Sequence, residues 1–441
     1  MKYKVYIISI FCLFVQQILS AQERQLSIEE AVNLALEQSD EAKMANQTVE
    51  TAASQLKTTK NNQYPDFKLS GQYSYLSNAD VNFKLNTGSS SSEGSEGQQS
   101  GSSPKINQLL LGQANVSMPI FSGFKLKNAI AADENRLKAA TFSAENSKEQ
   151  IALQVIQDYL SLYKARKAVE LLEESLKGAE RRVTDFSAME QNGLLARNDL
   201  LKAQLQQANT RLNLEEAKKN EQIINYQLIK ELNLPEGTIV QTDDASFLMT
   251  PVASAEETSR KDLEALKFQE QAAENGVEVA KSAYFPSIGL TGGYIALDVH
   301  NALTVSNAMN FGVGVSYNLS SIFKSKQDVK LAESRARELQ FQIDQVEDQV
   351  HIQVENAQKE YELALKKLDV YSQSEEQAVE NFRIVKDKYD NGLEDTNDLL
   401  EADVEQLQAK INMAYAKANI AQKYYELLRA KGGLTQNFTK D

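Results

Sequence analysis

One stretch of the chain concentrates carboxylates: Asp387, Asp390, Glu394, Asp395, Asp398, Glu401 and Asp403 stand against only Lys386 and Lys388. Carboxylates at this density attract cations and raise their local concentration. They do not amount to a catalyst. The chain has two histidines, His300 and His351, and one cysteine, with no nucleophile–base constellation, phosphate loop or metal-ligand spacing. His300 falls in an expected surface loop and His351 in an expected helix. No cofactor is implied. A second, less acidic stretch places Asp199 beside Arg197 and Lys202. Both stretches lie at the same tripeptide, Asn192-Gly193-Leu194 and Asn391-Gly392-Leu393, with glycine where a reversing chain needs a positive φ. Asp199 and Asp398 then sit just inside returning helices, where the positive end of the helix dipole favours a carboxylate.

The elements that hold these turns are unusual. The chain has 441 residues, 19 of them Gly and 6 Pro. Gly and Pro fall in clusters, which leaves long uninterrupted helical stretches between them. Asp and Glu outnumber Lys and Arg by 14, so a nucleic-acid partner is excluded: phosphate binding needs a basic footprint. Lys2 and Lys4 precede an apolar run, Val5 to Val15, followed by Ser20-Ala21. This is the pattern of a secretory signal, residues 1–21, and the run is too short to span a bilayer. Cys12 lies inside it, so the exported chain has no cysteine.

The chain is duplicated. Tyr64-Pro65-Asp66-Phe67 returns as Phe285-Pro286-Ser287-Ile288, an offset of 221 residues. Val116-Ser117 returns as Val315-Ser316, and Asn198-Asp199-Leu200-Leu201 as Asn397-Asp398-Leu399-Leu400, both at an offset of 199. The first repeat, 22–234, therefore carries extra residues between its strands, visible as a Ser/Gly loop at 86–104. Residues 235–257 read as an irregular connector, and the second repeat covers 258–441.

Each repeat reads as helix, strand, strand, very long helix, turn, helix. Strands are expected at 66–85, 105–121, 286–298 and 309–320. Apolar Phe67, Leu69, Tyr73 and Tyr75 alternate with Lys68, Ser70, Gln72 and Ser74. Such alternation suits a membrane barrel with lipid outside and water inside, or a small soluble β-sandwich. Long helices are expected at 126–191 and 324–390, each about 100 Å at 1.5 Å per residue. Apolar residues recur along them at coiled-coil spacing, as in Ile151, Val155, Tyr159 and Leu162. Four strands cannot close a barrel, and lipid does not tolerate an open edge, so a membrane barrel requires several copies to pool strands. A secreted structural coiled-coil protein of the envelope, with no channel, is the competing reading.

The duplication, the opening Leu26-Ser27-Ile28-Glu29-Glu30-Ala31, the Tyr-Pro and Phe-Pro strand starts, Pro119-Ile120-Phe121-Ser122-Gly123-Phe124 and the paired Asn-Gly-Leu…Asp-Leu-Leu turns resemble the TolC-like outer-membrane efflux and secretion factors. The resemblance implies a mainly α fold with a membrane β-barrel contribution. Four strands per protomer would enter a trimeric twelve-stranded barrel, continuous with a long α-helical periplasmic tunnel. It also implies a Gram-negative outer-membrane location and passive export of drugs, metals or proteins. The implied partners are a periplasmic adaptor and an inner-membrane transporter of the RND or ABC type. By the same resemblance Asp398 and Glu401 line the pore gate. Tyr389 and Asp199 form a closing constraint. Gly193, Leu194, Leu195, Gly392 and Leu393 form the periplasmic tip that docks the adaptor. An arginine that the best-known member has two residues after the second glycine is Glu394 here.

Overall fold

A computed structural model describes residues 23–80, 105–243, 260–300 and 303–438. The signal segment, Cys12, the Ser/Gly loop and residues 244–257 of the connector lie outside them. In chain order the elements are β1 (Glu23–Leu26), α1 (Ile28–Gln38), α2 (Asp40–Asn61), β2 (Asp66–Asp80), β3 (Lys105–Ser122), α3 (Lys125–Gln191), α4 (Arg197–Glu231), β4 (Ile239–Thr242), α5 (Lys261–Lys281), β5 (Ser287–Val299), β6 (Leu303–Ser316), α6 (Ser321–Asp390) and α7 (Thr396–Lys431). No described helix is long and apolar enough to cross a membrane. The chain forms two compact units, and each draws on both repeats. One combines Thr51–Lys138 with Phe268–Phe341; the other takes in Ala139–Lys267 and the chain from Gln342 onward, together with the N-terminal segment up to Glu50.

The first unit is built on an antiparallel four-stranded sheet in the order β2-β3-β5-β6. Its register lines up Phe67, Val116, Gly292 and Phe311 across one face, and Leu69, Ala114, Tyr294 and Met309 in the next row. Lys68, Asn115, Gly293 and Asn310 form a row on the opposite face, as the period of two requires. The apolar face is uncovered within the chain: Leu69 is 88% exposed and Phe311 84%. Among the described residues, β2 and β6 each pair on one side only. β6 runs Leu303–Ser316 where alternation suggested 309–320, because a bulge between Ile295 and Leu297, with Asn307 at φ 60°, breaks the period. β3 leads into α3 through Gly123 (φ 62°) and Phe124 (φ 67°), and the Phe124 ring meets Phe121 at 5.2 Å and Phe285 at 5.9 Å, both edge-on.

The second unit packs the long helices. The seam read in α3 is buried: Val155, Tyr159 and Leu162 are fully enclosed with Leu26, Leu228 and Tyr425. The connector is not irregular throughout. Its strand β4 pairs in parallel with β1, four residues against four, a contact between distant segments that neither shows alone. Tyr159 holds the two together: its hydroxyl donates to the Leu26 carbonyl at 2.7 Å and accepts from the Asp243 amide at 2.8 Å. The Asn225 side chain donates to the Thr238 carbonyl and accepts from the Val240 amide, both at 2.9 Å. The N-terminal helical segment breaks between α1 and α2 at Ser39, whose hydroxyl accepts from the Ala42 amide and restarts the helix.

The buried Glu149 carboxylate latches the C-terminal segment. It accepts from the Leu434 amide at 3.0 Å, the Thr435 amide at 2.9 Å and the Thr435 hydroxyl. Glu149→Ala removes these charge-assisted bonds at a cost of about 2 to 3 kcal/mol. Residues 432–438 should then gain protease sensitivity and lose amide-exchange protection while the α3 core stays protected.

Candidate functional site

The acidic turn and its counterpart are built alike. Each long helix ends with glycine in the left-handed region, Gly193 and Gly392 both at φ 71°. The Leu194 amide bonds back to the Met189 carbonyl at 2.8 Å, and the Leu393 amide to Lys388 at 2.9 Å. The glycine amides reach Glu190 and Tyr389. This is the Schellman closure, which satisfies carbonyls left over at the helix end. The leucine of such a motif usually packs back on the helix. Here Leu194 and Leu393 are each 74% exposed, while Leu195 is half-buried against the core below.

The returning helices start differently. Asp395 caps α7 by accepting from the Asn397 amide at 2.7 Å and the Asp398 amide at 3.2 Å. Ala196, in the same place before α4, cannot cap. In sequence, Asp395 reads only as one carboxylate of the acidic stretch, although Asp-Thr-Asn-Asp is a legible cap signal with an acid three residues on. Asp199 and Asp398 both occupy the third helical position. Asp199 pairs with Lys202 at 3.3 Å. Asp398 is exposed, and the neighbouring Glu394 and Asp395 hold its carboxyl above its usual range. Glu394 is held low, first by its contact with Lys388 at 2.8 Å. This pair ties the last turn of α6 to the loop. Glu401 is exposed one turn beyond Asp398.

The two turns share a small core. Phe186, Leu200, Ala203 and Leu399 are buried together, with Val183, Phe382 and Tyr389 packed at its edge. Tyr389 stacks on Phe186 at 5.7 Å, and burial raises its pKa. Its hydroxyl is enclosed beside the Thr396 side chain and, among the described residues, meets no partner at hydrogen-bond geometry. Asp199 lies close enough to influence that hydroxyl, but its carboxylate is engaged by Lys202. Arg182 joins the helices behind the core by pairing with Asp403 at 3.1 Å, and Gln206 donates to the same carboxylate at 3.3 Å. No described cluster of His, Cys, Asp or Glu has the arrangement of a metal site. The site offers exposed carboxylates, two exposed leucines and a stiff helical support.

The outer membrane efflux protein family matches residues 31–234 and 252–433. The chain is 21% identical over 323 residues to the outer membrane efflux protein BepC of Brucella suis biovar 1 (strain 1330), covering 72% of this chain and 70% of that protein. Its fold is similar to that of the Campylobacter jejuni CmeC outer membrane channel, with a TM-score of 0.79 over 92% of this chain and 86% of CmeC at 20% identity. It is also similar to the Vibrio cholerae outer membrane protein VceC, with a TM-score of 0.73 over 92% and 96% of the two chains at 17% identity. The duplicated helices, the two-faced sheet and these matches together establish that the chain belongs to the outer membrane efflux protein family, whose members are channel proteins and not enzymes.

Proposed function

We propose that three copies of this chain close a twelve-stranded barrel in the outer membrane and a helical tunnel in the periplasm, forming a passive export conduit. The sheet carries this reading. It has two unpaired edges, an apolar face and a polar face, and only pooling with further copies satisfies the edges in lipid. α6 supports it: Phe341, Ile352 and Val370 stay exposed, an apolar surface that neighbouring copies would cover. The conduit would work with a periplasmic adaptor and an RND- or ABC-type transporter, which supplies the energy, and would carry small molecules or proteins. A heat-resistant trimer in the outer-membrane fraction that conducts ions in planar bilayers supports the proposal. A soluble periplasmic protein without conductance would instead favour a structural envelope role.

Asp398 and Glu401, repeated threefold, would form a cation-attracting constriction. The double variant Asp398→Asn/Glu401→Gln should lower the cation-to-anion permeability ratio toward one and weaken block by divalent cations. Unchanged selectivity would rule out these residues as the constriction.

A further inference from the structure

The polar face of the four-stranded sheet does not stay polar along its length. Near the strand-to-helix turns it carries Asp66, Ser117 and Thr291, then Lys68, Asn115 and Asn310. Toward the other end the same face turns aliphatic. Leu111 pairs with Leu297 and Leu297 with Val305; Leu109 pairs with Val299 and Val299 with Leu303. Directly paired residues in a sheet share a face, and the register of β3 with β5 is unbroken from Leu109 to Pro119. These two rows therefore lie on the side of Lys68 and Asn115, opposite Phe67 and Phe311. At that level the opposite face is mixed: Tyr73 and Leu110 stand in one row with Asp298 and Thr304, and Thr304 donates to Asp298 at 3.0 Å. The inner face thus loses its polarity toward that end, and contact with lipid cannot account for aliphatic side chains there.

In the trimer proposed above, on which this inference rests, three of the four strands in each copy would contribute to both rows, interrupted only by Gln72 and Ser74 of β2. We propose that Leu109, Leu111, Leu297, Val299, Leu303 and Val305 form an apolar collar in the lumen that selects amphiphilic organic cations over small inorganic ions. A collar of aliphatic side chains wets poorly and slows hydrated ions. The same side chains give a solute with an apolar surface a transient place to bury it. Cations are the matching charge, since the chain carries an excess of 14 acidic residues.

The probes are potassium chloride and tetraphenylphosphonium chloride, applied to purified trimers in planar bilayers. Wild-type channels should be blocked by tetraphenylphosphonium. Leu111→Asn/Leu297→Asn/Val305→Thr should raise potassium conductance about twofold and raise the half-blocking tetraphenylphosphonium concentration about tenfold. Leu111→Asn alone, one change per copy, should shift both in the same direction, so the test survives if the triple variant assembles poorly. Leu111→Ile/Leu297→Ile should keep the block. Intact conducting trimers whose block and conductance ignore the polar substitutions overturn the collar and leave the conduit standing. Wild-type protein that forms no conducting trimer overturns both.

Discussion

Gly123→Ala is expected to abolish stable trimers in the outer membrane. A Cβ placed on Gly123 would lie 2.6 Å from the Ser282 carbonyl oxygen and 2.8 Å from the Phe285 Cβ. Real Cβ atoms do not approach so closely, and the first obstacle is backbone. The residue also sits at φ 62°, followed by Phe124 at φ 67°, so alanine adds about 1 to 2 kcal/mol of left-handed strain to the overlap. Relieving the overlap costs about 1 to 3 kcal/mol more. Both fall at the turn where β3 becomes α3, which sets how the sheet meets its helices. The Phe121, Phe124 and Phe285 rings pack there too. The tip glycines are the internal control. Gly193 and Gly392 share the positive φ, but an added Cβ meets nothing within 4 Å. Gly193→Ala should therefore cost only the strain, about 1 kcal/mol, and leave trimer yield near wild type. Heat-modifiable migration of outer-membrane extracts separates the two. Wild-type trimer yield from Gly123→Ala would refute the account.

Leu194→Asp combined with Leu393→Asp is expected to abolish export while leaving trimers and single-channel conductance intact. Both leucines are 74% exposed immediately after the glycine that closes each turn, one on each hairpin. They lie outside the core of Phe186, Leu200 and Leu399, so charge there should change fold stability by less than about 0.5 kcal/mol. Their loss should remove a desolvated anchor for the helical hairpins of a periplasmic adaptor, as expected of hot-spot positions. Accumulation of an export substrate in cells expressing the variant, together with loss of adaptor crosslinking at the tips, is the readout. Full export would assign docking to another surface. Leu195→Asp should behave differently, because Leu195 packs on the shared core: it should also lower thermal stability.

The long helices, the sheet and the two reversing turns were legible from the sequence because each is written in local periodicity. Helical spacing continues without proline from Leu126 to Gln191, apolar and polar residues alternate from Phe67 to Tyr75, and Asn-Gly-Leu appears twice at the same offset. Duplication strengthened the signal, since each element was read twice. What escaped were contacts whose two halves lie far apart in the chain. β1 and β4 are four residues each, too short to show a period, and exist because Tyr159 and Asn225 complete their hydrogen bonds. Glu149 looks like any acidic residue of a helix until the chain returns Leu434 and Thr435 to it.

At the site itself, the sequence placed Asp199 and Asp398 at helix starts and the glycines at the turns, because capping and chain reversal are local events. It could not tell that Tyr389 would stack on Phe186 with its hydroxyl enclosed, that Lys202 would occupy Asp199, or that Lys388 would tie down Glu394. The Tyr389 stack depends on two hairpins meeting; the pairs of Lys202 with Asp199 and of Lys388 with Glu394 lie within one hairpin each and depend on which of several nearby charges each side chain reaches. Sequence also could not show the change of polarity along the inner face of the sheet. That depends on strand register, which is set by pairing between strands from different repeats and by the bulge at Asn307. Periodicity in one strand says which residues share a face, but only the register says what stands beside them.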